Sequence, residues 1–204
     1  MVREDRLSGR VALVTGATGG IGEAIVRRLA AEGATVVVTD LDADQCEKLA
    51  GQLPGGALGL RLDVTDETAW ETVVAQVTDR LGSLSVLVNN AGIASMGTVE
   101  TETRETWDRV IGVTQTGVWL GMKHGGPAIE RSGGGSIVNI ASPTGMLGVA
   151  PGYSAYSTSK GGVFGLSRVS AAAAPSSTSP RQPACWASPP AIRHTAPARA
   201  VCSG

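Results

Sequence analysis

The sequence predicts an α/β fold: a doubly wound parallel sheet of strand order 3-2-1-4-5 with helices on both faces. Three observations predict it: five short apolar runs, helical periodicity between them, and a glycine cluster directly behind the first run. The runs at 11–14, 35–39, 58–62, 86–88 and 136–140 are continuous rather than alternating, as expected of parallel strands buried on both faces. After the first run, Ile21, Ile25 and Leu29 recur at i, i+4 and mark a helix face turned to the sheet. After the third, Trp70, Val73, Val74 and Val77 do the same. The order reads βαβαβαβαβ, and right-handed crossovers turn it into an open sheet. Its ligand crevice is expected at the carboxyl ends of the strands, at the switch between the first and the fourth.

The segment Thr15-Gly16-Ala17-Thr18-Gly19-Gly20-Ile21-Gly22 joins the first run to the first helix, and Asp40 closes the second run. Strand, glycine turn, helix, second strand and terminal acid together form a dinucleotide site in its proper context, which a glycine cluster alone would not. Gly16 permits the tight turn, Gly20 lets backbone N–H groups approach a pyrophosphate, and Gly22 allows the helix to pack closely on the sheet. A carboxylate at Asp40 accepts hydrogen bonds from both adenosine ribose hydroxyls and repels a 2′-phosphate, which favours NAD over NADP. No Lys or Arg lies in the glycine turn, and Leu41-Asp42 follow Asp40, so no cation is placed to receive the extra phosphate. The competing reading of Asp40 is a solvated acid capping the next helix.

At 204 residues and 42% hydrophobic content the chain is long enough for one domain with a sizeable core. A net charge of -1 provides no basic field for nucleic acid or an anionic membrane surface. No apolar stretch is long enough to span a bilayer and no leader-like segment opens the chain, so the expectation is a cytoplasmic protein. Cys46, Cys185 and Cys202 lack metal-ligand spacing and are odd in number, which indicates neither a metal site nor a disulfide framework.

Five signatures occur in order: Thr15 to Gly22, Asp63-Val64, Asn89-Asn90-Ala91-Gly92, Ser142, and Tyr156-Ser157-Thr158-Ser159-Lys160. On these residues the chain resembles a classical short-chain dehydrogenase/reductase over roughly 7–172, a family with a Rossmann-like fold. The resemblance implies a cofactor site comprising Gly16, Thr18, Gly20, Ile21, Gly22, Asp40, Asp63, Val64, Asn89, Ala91 and Gly92, together with Tyr156 and Lys160. Asp63 would lie beside the adenine or, read locally, cap the next helix; Asn89 would both make a turn and border the cofactor. Related enzymes pair through two long helices, here about 104–123 and from Tyr156 onward, which implies a homodimer or homotetramer.

Tyr156 and Lys160 are four apart in a helical segment, so they share a face and the ammonium can approach the phenol. A free tyrosine titrates near ~10, so proton transfer near neutral pH needs its phenolate favoured by about three units, or ~4 kcal/mol. Lys160 and an oxidised nicotinamide are two cations that act in that direction. By resemblance, Tyr156 takes the alcohol proton, Ser142 hydrogen-bonds the substrate oxygen, and Lys160 holds the nicotinamide ribose. The implied substrate is a small secondary alcohol or its ketone, and the phrasing is similar to bacterial members acting on hydroxysteroids and cyclic alcohols.

Two departures stand against that pattern. Thr114 occupies the position of an asparagine that, in the family, helps hold a water relaying protons to the lysine. A threonine hydroxyl is shorter and does not offer a separate carbonyl acceptor and amide donor, so slowed turnover is expected. Family resemblance also stops near Ala172. All 18 Asp and Glu lie at or before Glu130, and six of the ten prolines follow Ala174, a composition that reads as disordered. The domain is therefore expected to cover 1–172, lacking the family's last strands, with 173–204 as an aberrant tail. Ser179-Pro180-Arg181-Gln182-Pro183, encoded as AGT CCG CGT CAA CCN, yields Val-Arg-Val-Asn one nucleotide later. Ile192-Arg193-His194-Thr195-Ala196 likewise can yield Phe-Asp-Thr-Pro, and both phrases resemble the family in the expected order, which points to a frameshift near 171–178. The alternative functional reading is a truncated, catalytically impaired chain that at most binds NAD.

Overall fold

Five parallel strands align in the order β3-β2-β1-β4-β5 in the computed structural model, which describes residues 5–148 and 151–173. The strands are β1 (Val11–Thr15), β2 (Thr35–Asp40), β3 (Leu58–Arg61), β4 (Val86–Asn89) and β5 (Ser136–Asn139). Between them run α1 (Gly20–Ala31), α2 (Ala43–Ala50), α3 (Glu67–Leu81), α4 (Arg104–Ile111) and α5 (Gly117–Arg131). A short α6 (Thr144–Leu147) and the long α7 (Ser154–Ala173) follow β5. Fold class and strand order agree with the sequence reading. Of the tail expected over 173–204, Ala173 ends α7 and the remainder lies outside the described residues, as does the frameshift reading beyond residue 173.

Alternation along each strand sorts the core into two layers. Leu13, Val37 and Leu87 join Trp70, Val77 and Leu120 beneath α3 and α5. Ala12, Val14, Val36 and Val38 join Val26, Ala30 and Leu49 beneath α1 and α2. Register is direct: Leu13 lies opposite Val37 in β2 and opposite Leu87 in β4, so β1 is central and its end abuts the end of β4. The ligand crevice expected at this switch lies where these two strand ends release the chain.

Three local expectations need correction. The face of α1 turned inward is Gly22, Val26 and Ala30, while Ile21 is exposed and Ile25 and Leu29 flank the stripe. The reason is steric: a helix that must lie close to the sheet buries its smallest residues at the line of contact. The helix expected over about 104–123 is interrupted by a π-helical turn, Gly112–Thr116, and continues to Arg131. Finally, β5 is not buried on both faces; it forms the edge of the described sheet, and Val138 is 44% exposed.

Candidate active site

The glycine turn is shaped by contacts that leave no room for side chains. Gly16 adopts φ +60°, and a Cβ there would lie 2.8 Å from Ala91 Cα. A Cβ on Gly22 would fall 2.0 Å from the Gly16 carbonyl oxygen and 2.8 Å from Ala17 Cα. Gly20, by contrast, faces open space, with nothing within 4 Å of where its Cβ would be. No side chain caps α1 at Gly19, so the first-turn N–H donors have no capping acceptor. A constricted turn, open space over Gly20 and an uncapped helix start form a cradle that fits a pyrophosphate.

Asn90 and Thr15 hold this turn against β4. The Asn90 side-chain amide donates to the carbonyls of Thr15 (2.9 Å) and Gly16 (3.0 Å). The Thr15 hydroxyl oxygen accepts the backbone N–H groups of Asn90 and Ala91, both at 3.0 Å. Asn89 turns the other way. Its amide donates to Asn139 Oδ1 at 2.8 Å, and Asn139 donates to Ser167 Oγ at 2.9 Å, tying β4 to β5 and α7. Its own Oδ1 is buried without a hydrogen-bond partner among the described residues, close to Gly121. Asn90, which the sequence reading left out of the site, is thus the residue that grips the phosphate turn. The doublet Asn89-Asn90 was its only signal.

Asp40 meets Thr18 at the end of β2. Its Oδ2 accepts from the Thr18 backbone N–H (3.1 Å) and hydroxyl (2.7 Å), and its Oδ1 accepts the Leu41 N–H at 2.8 Å. Asp42, not Asp40, caps α2, accepting from the Gln45 N–H. Likewise Asp66, not Asp63, caps α3, while Asp63 accepts from the Thr65 N–H and hydroxyl in a local turn at the end of β3. Val64 is buried beneath α5, and its carbonyl accepts the Trp70 indole N–H at 3.0 Å.

The second half of the site gathers on α7. Lys160 is 4% exposed, its Nζ donates to the Ile140 carbonyl at 2.5 Å, and it lies 5.7 Å from the centroid of the Tyr156 ring. Burial pushes its ammonium down to about 8. Gly92 links the two halves, since a Cβ there would lie 3.5 Å from Lys160 Nζ and 3.6 Å from Thr114 Cγ2. Thr114 is fully buried in the π-helical turn. Its hydroxyl donates to the Ile93 carbonyl and accepts the Ile93 N–H, both at 3.0 Å, so one oxygen does serve as donor and acceptor together toward the backbone. Ser142 lies between β5 and α6, its oxygen accepting from the Thr144 hydroxyl (2.9 Å) and backbone N–H (3.3 Å). Among the described residues no hydrogen bond joins Ser142 to Tyr156.

A tyrosine beside a buried lysine, close to Gly92 at the end of β4, is an arrangement able to exchange a proton with a hydroxyl group. Among the described residues Cys46 is a free, buried thiol whose pKa burial raises to about 11, so it offers no reactive thiolate. No helix of the described residues is long and apolar enough to cross a membrane.

Residues 10–177 match the family model for short chain dehydrogenase. The chain is 39% identical over 170 residues to a 2,5-dichloro-2,5-cyclohexadiene-1,4-diol dehydrogenase of Sphingobium indicum, covering 82% of this chain and 68% of that protein. It is 42% identical over 176 residues to a trans-4-hydroxycyclohexanecarboxylate dehydrogenase of Sinomonas cyclohexanicum, covering 82% and 67%. It is also similar to a 3-beta-hydroxysteroid dehydrogenase of Comamonas testosteroni, 40% identical over 167 residues and covering 82% and 65%. The crystal structure of a short chain dehydrogenase from Mycobacterium smegmatis superposes with a TM-score of 0.80 at 36% identity, over 84% of this chain and 74% of that one. The chain therefore spans about two thirds of the length of these curated relatives, and with the family model matched over 10–177 and the sheet order shared, it belongs to the short-chain dehydrogenase family.

Proposed function

We propose that this protein is an NAD-dependent oxidoreductase interconverting a secondary alcohol and a ketone. The observation that carries the reading is the Tyr156–Lys160 pair: a buried ammonium, driven down to about 8, lies 5.7 Å from the centroid of the tyrosine ring. Burying a lysine that touches no carboxylate costs stability, and such a cost is characteristic of a site kept for chemistry.

In the oxidation direction Tyr156 accepts the hydroxyl proton as the carbonyl forms, and in reduction it returns that proton. Lys160 favours the tyrosinate by its charge and is placed by the Ile140 carbonyl to reach a ribose hydroxyl. Ser142 holds the substrate oxygen once its hydroxyl donates outward, which its two acceptor contacts with Thr144 leave free to happen. NAD, when bound, supplies the acceptor for the hydride that leaves the alcohol carbon, and NADH its donor. Gly16, Gly20, Ile21 and Gly22 present the backbone to the pyrophosphate, and Asp40 with Thr18 receives the adenosine ribose. Asp63 and Val64 border the adenine, and Ala91 and Gly92 wall the nicotinamide side, whereas the Asn89 side chain, expected to border the cofactor, is turned to Asn139 and ties β4 to β5 instead. The preference for NAD over NADP rests on Asp40, whose carboxylate repels a 2′-phosphate. The relatives' substrates support a ring-borne hydroxyl as the reacting group.

A second reading, an impaired chain that binds NAD without turnover, is favoured by one observation: Thr114 stands where the family resemblance implies an asparagine, and its hydroxyl is engaged by the Ile93 backbone. Titrating the chain with NADH and NADPH by nicotinamide fluorescence, then assaying the parent and Tyr156→Phe on cyclohexanol, separates the two. Turnover abolished in Tyr156→Phe supports the dehydrogenase; saturable NADH binding without turnover in the parent supports the impaired chain; tighter NADPH binding overturns the assignment of NAD. A dimer or tetramer through α4, α5 and α7 is the proposed assembly, consistent with the half-exposed Trp119 on α5 and exposed Val169 on α7.

A further inference from the structure

We infer that the substrate is a neutral alcohol carried on a largely hydrocarbon body, and that this site selects against a substrate bearing a carboxylate or phosphate. The inference rests on the dehydrogenase reading above and narrows its substrate class.

The two segments that leave the carboxyl ends of β4 and β5 carry no charge. From Leu81 to Val99, and again from Ser132 to Ser159, the sequence contains no Asp, Glu, Lys or Arg. These segments supply Asn89 to Gly92, Ser142 and Tyr156, so the reacting centre is framed by neutral chain. On the same two segments Met96, Val99, Met146 and Leu147 are between 61% and 86% exposed. Four large apolar side chains beyond two adjacent strand ends, Met96 and Val99 after β4 and Met146 and Leu147 on α6, two of them conformable methionines, are suited to an apolar body of variable shape.

Two carboxylates border this region. Glu102 accepts hydroxyl hydrogen bonds from Ser95 (2.8 Å) and Ser154 (3.1 Å), which fastens the loop after β4 to the start of α7. Glu100 accepts from the Thr98 hydroxyl at 2.7 Å and lines an open cavity of about 330 Å³ together with Val99, Pro151, Tyr153 and Ser157. That cavity reaches Tyr153, whose ring centroid is 6.3 Å from that of Tyr156. Of the nearby cations, Lys160 is buried against the Ile140 carbonyl, and Arg104, exposed and paired through Nε with Asp108 at 2.6 Å, lines a neighbouring cavity of about 440 Å³ with Glu102 and Trp107 rather than the one beside Glu100. An anionic substituent in the cavity beside Glu100 would therefore leave water for a lining that includes a carboxylate and, among the described residues, no Lys or Arg.

The test uses the full chain saturated with NADH, titrated with cyclohexanone and with 4-oxocyclohexanecarboxylate while NADH fluorescence is followed. The expected result is tighter binding of the neutral ketone by at least ~10-fold, the factor corresponding to ~1.4 kcal/mol. Glu100→Lys, a change at an exposed position, should narrow that gap by strengthening the carboxylate alone. Equal or tighter binding of the carboxylate by the parent overturns the inference and leaves the dehydrogenase reading standing. NADH binding with no response to either ketone also overturns it, whereas failure to bind NADH overturns the cofactor reading and this inference together.

Discussion

Replacing Lys160 with methionine should remove a pH-dependent cost from the fold. Burial takes the ammonium from its ordinary 10.5 to about 8, so near neutral pH the native state carries a charge held in a poor solvent. The difference of about 2.5 units corresponds to ~3 kcal/mol. Between pH 8 and 10.5 the unfolded chain holds a proton that the native chain has lost, so raising pH through this window favours the native state. The parent should thus gain up to about 3 kcal/mol of unfolding free energy across the window relative to Lys160→Met. Methionine roughly conserves the stem's volume, but the Ile140 carbonyl loses its donor, at a cost of ~1–3 kcal/mol. Near pH 7 the two effects nearly offset, and the variant should lie between parity and ~2 kcal/mol more stable. Urea unfolding at pH 7, 8.5, 9.5 and 10.5 measures both. Other lysines and tyrosines titrate alike in the two proteins, so the difference between the curves isolates position 160. Parallel stability profiles from pH 8 to 10.5 would refute the argument that this lysine is buried at a cost.

Gly22→Ala drives a methyl into the Gly16 carbonyl and should destabilise the fold by ~1–3 kcal/mol and abolish NADH binding, whereas Gly20→Ala, facing open space, should retain thermal stability and lose affinity alone; melting curves paired with NADH titration distinguish them. Asp40→Ala frees Thr18 and removes the carboxylate that opposes a 2′-phosphate, so the ratio of NADPH to NADH affinity should rise by ~10-fold or more, and an unchanged ratio would remove Asp40 from cofactor selection. Thr114→Val strands both backbone groups of Ile93 and should cost ~2 kcal/mol in urea unfolding; Thr114→Asn should raise kcat, and an unchanged rate would show that the threonine is no handicap. Glu32, held down to about 2 first by its hydrogen bonds from Arg6 and also by Arg28, contributes stability present above pH 4.5 and lost as pH falls toward 2, so Glu32→Gln should flatten acid unfolding across that interval.

Five apolar runs pointed to a doubly wound parallel sheet, and the glycine fingerprint behind the first selected the order 3-2-1-4-5, because continuous hydrophobicity, short connections and right-handed crossovers leave few topologies open but do not by themselves choose among them. The same local chemistry marked the glycine turn, the acid at Asp40 and the Tyr156–Lys160 spacing, each of which is a rule about neighbours in sequence. What the sequence could not decide were contacts between distant segments. Which of Asn89 and Asn90 faces the phosphate turn depends on how β4 docks between β1 and β5, and the structure gives Asn90 to the turn and Asn89 to Asn139. The hydroxyl of Thr114 finds both backbone groups of Ile93 because the helix widens into a π turn at Gly112–Thr116, a deformation that no residue pattern announced. The buried stripe of α1 moved from Ile21 to Gly22 for a similar reason: periodicity locates apolar residues, but the distance of closest approach between helix and sheet decides which of them is covered.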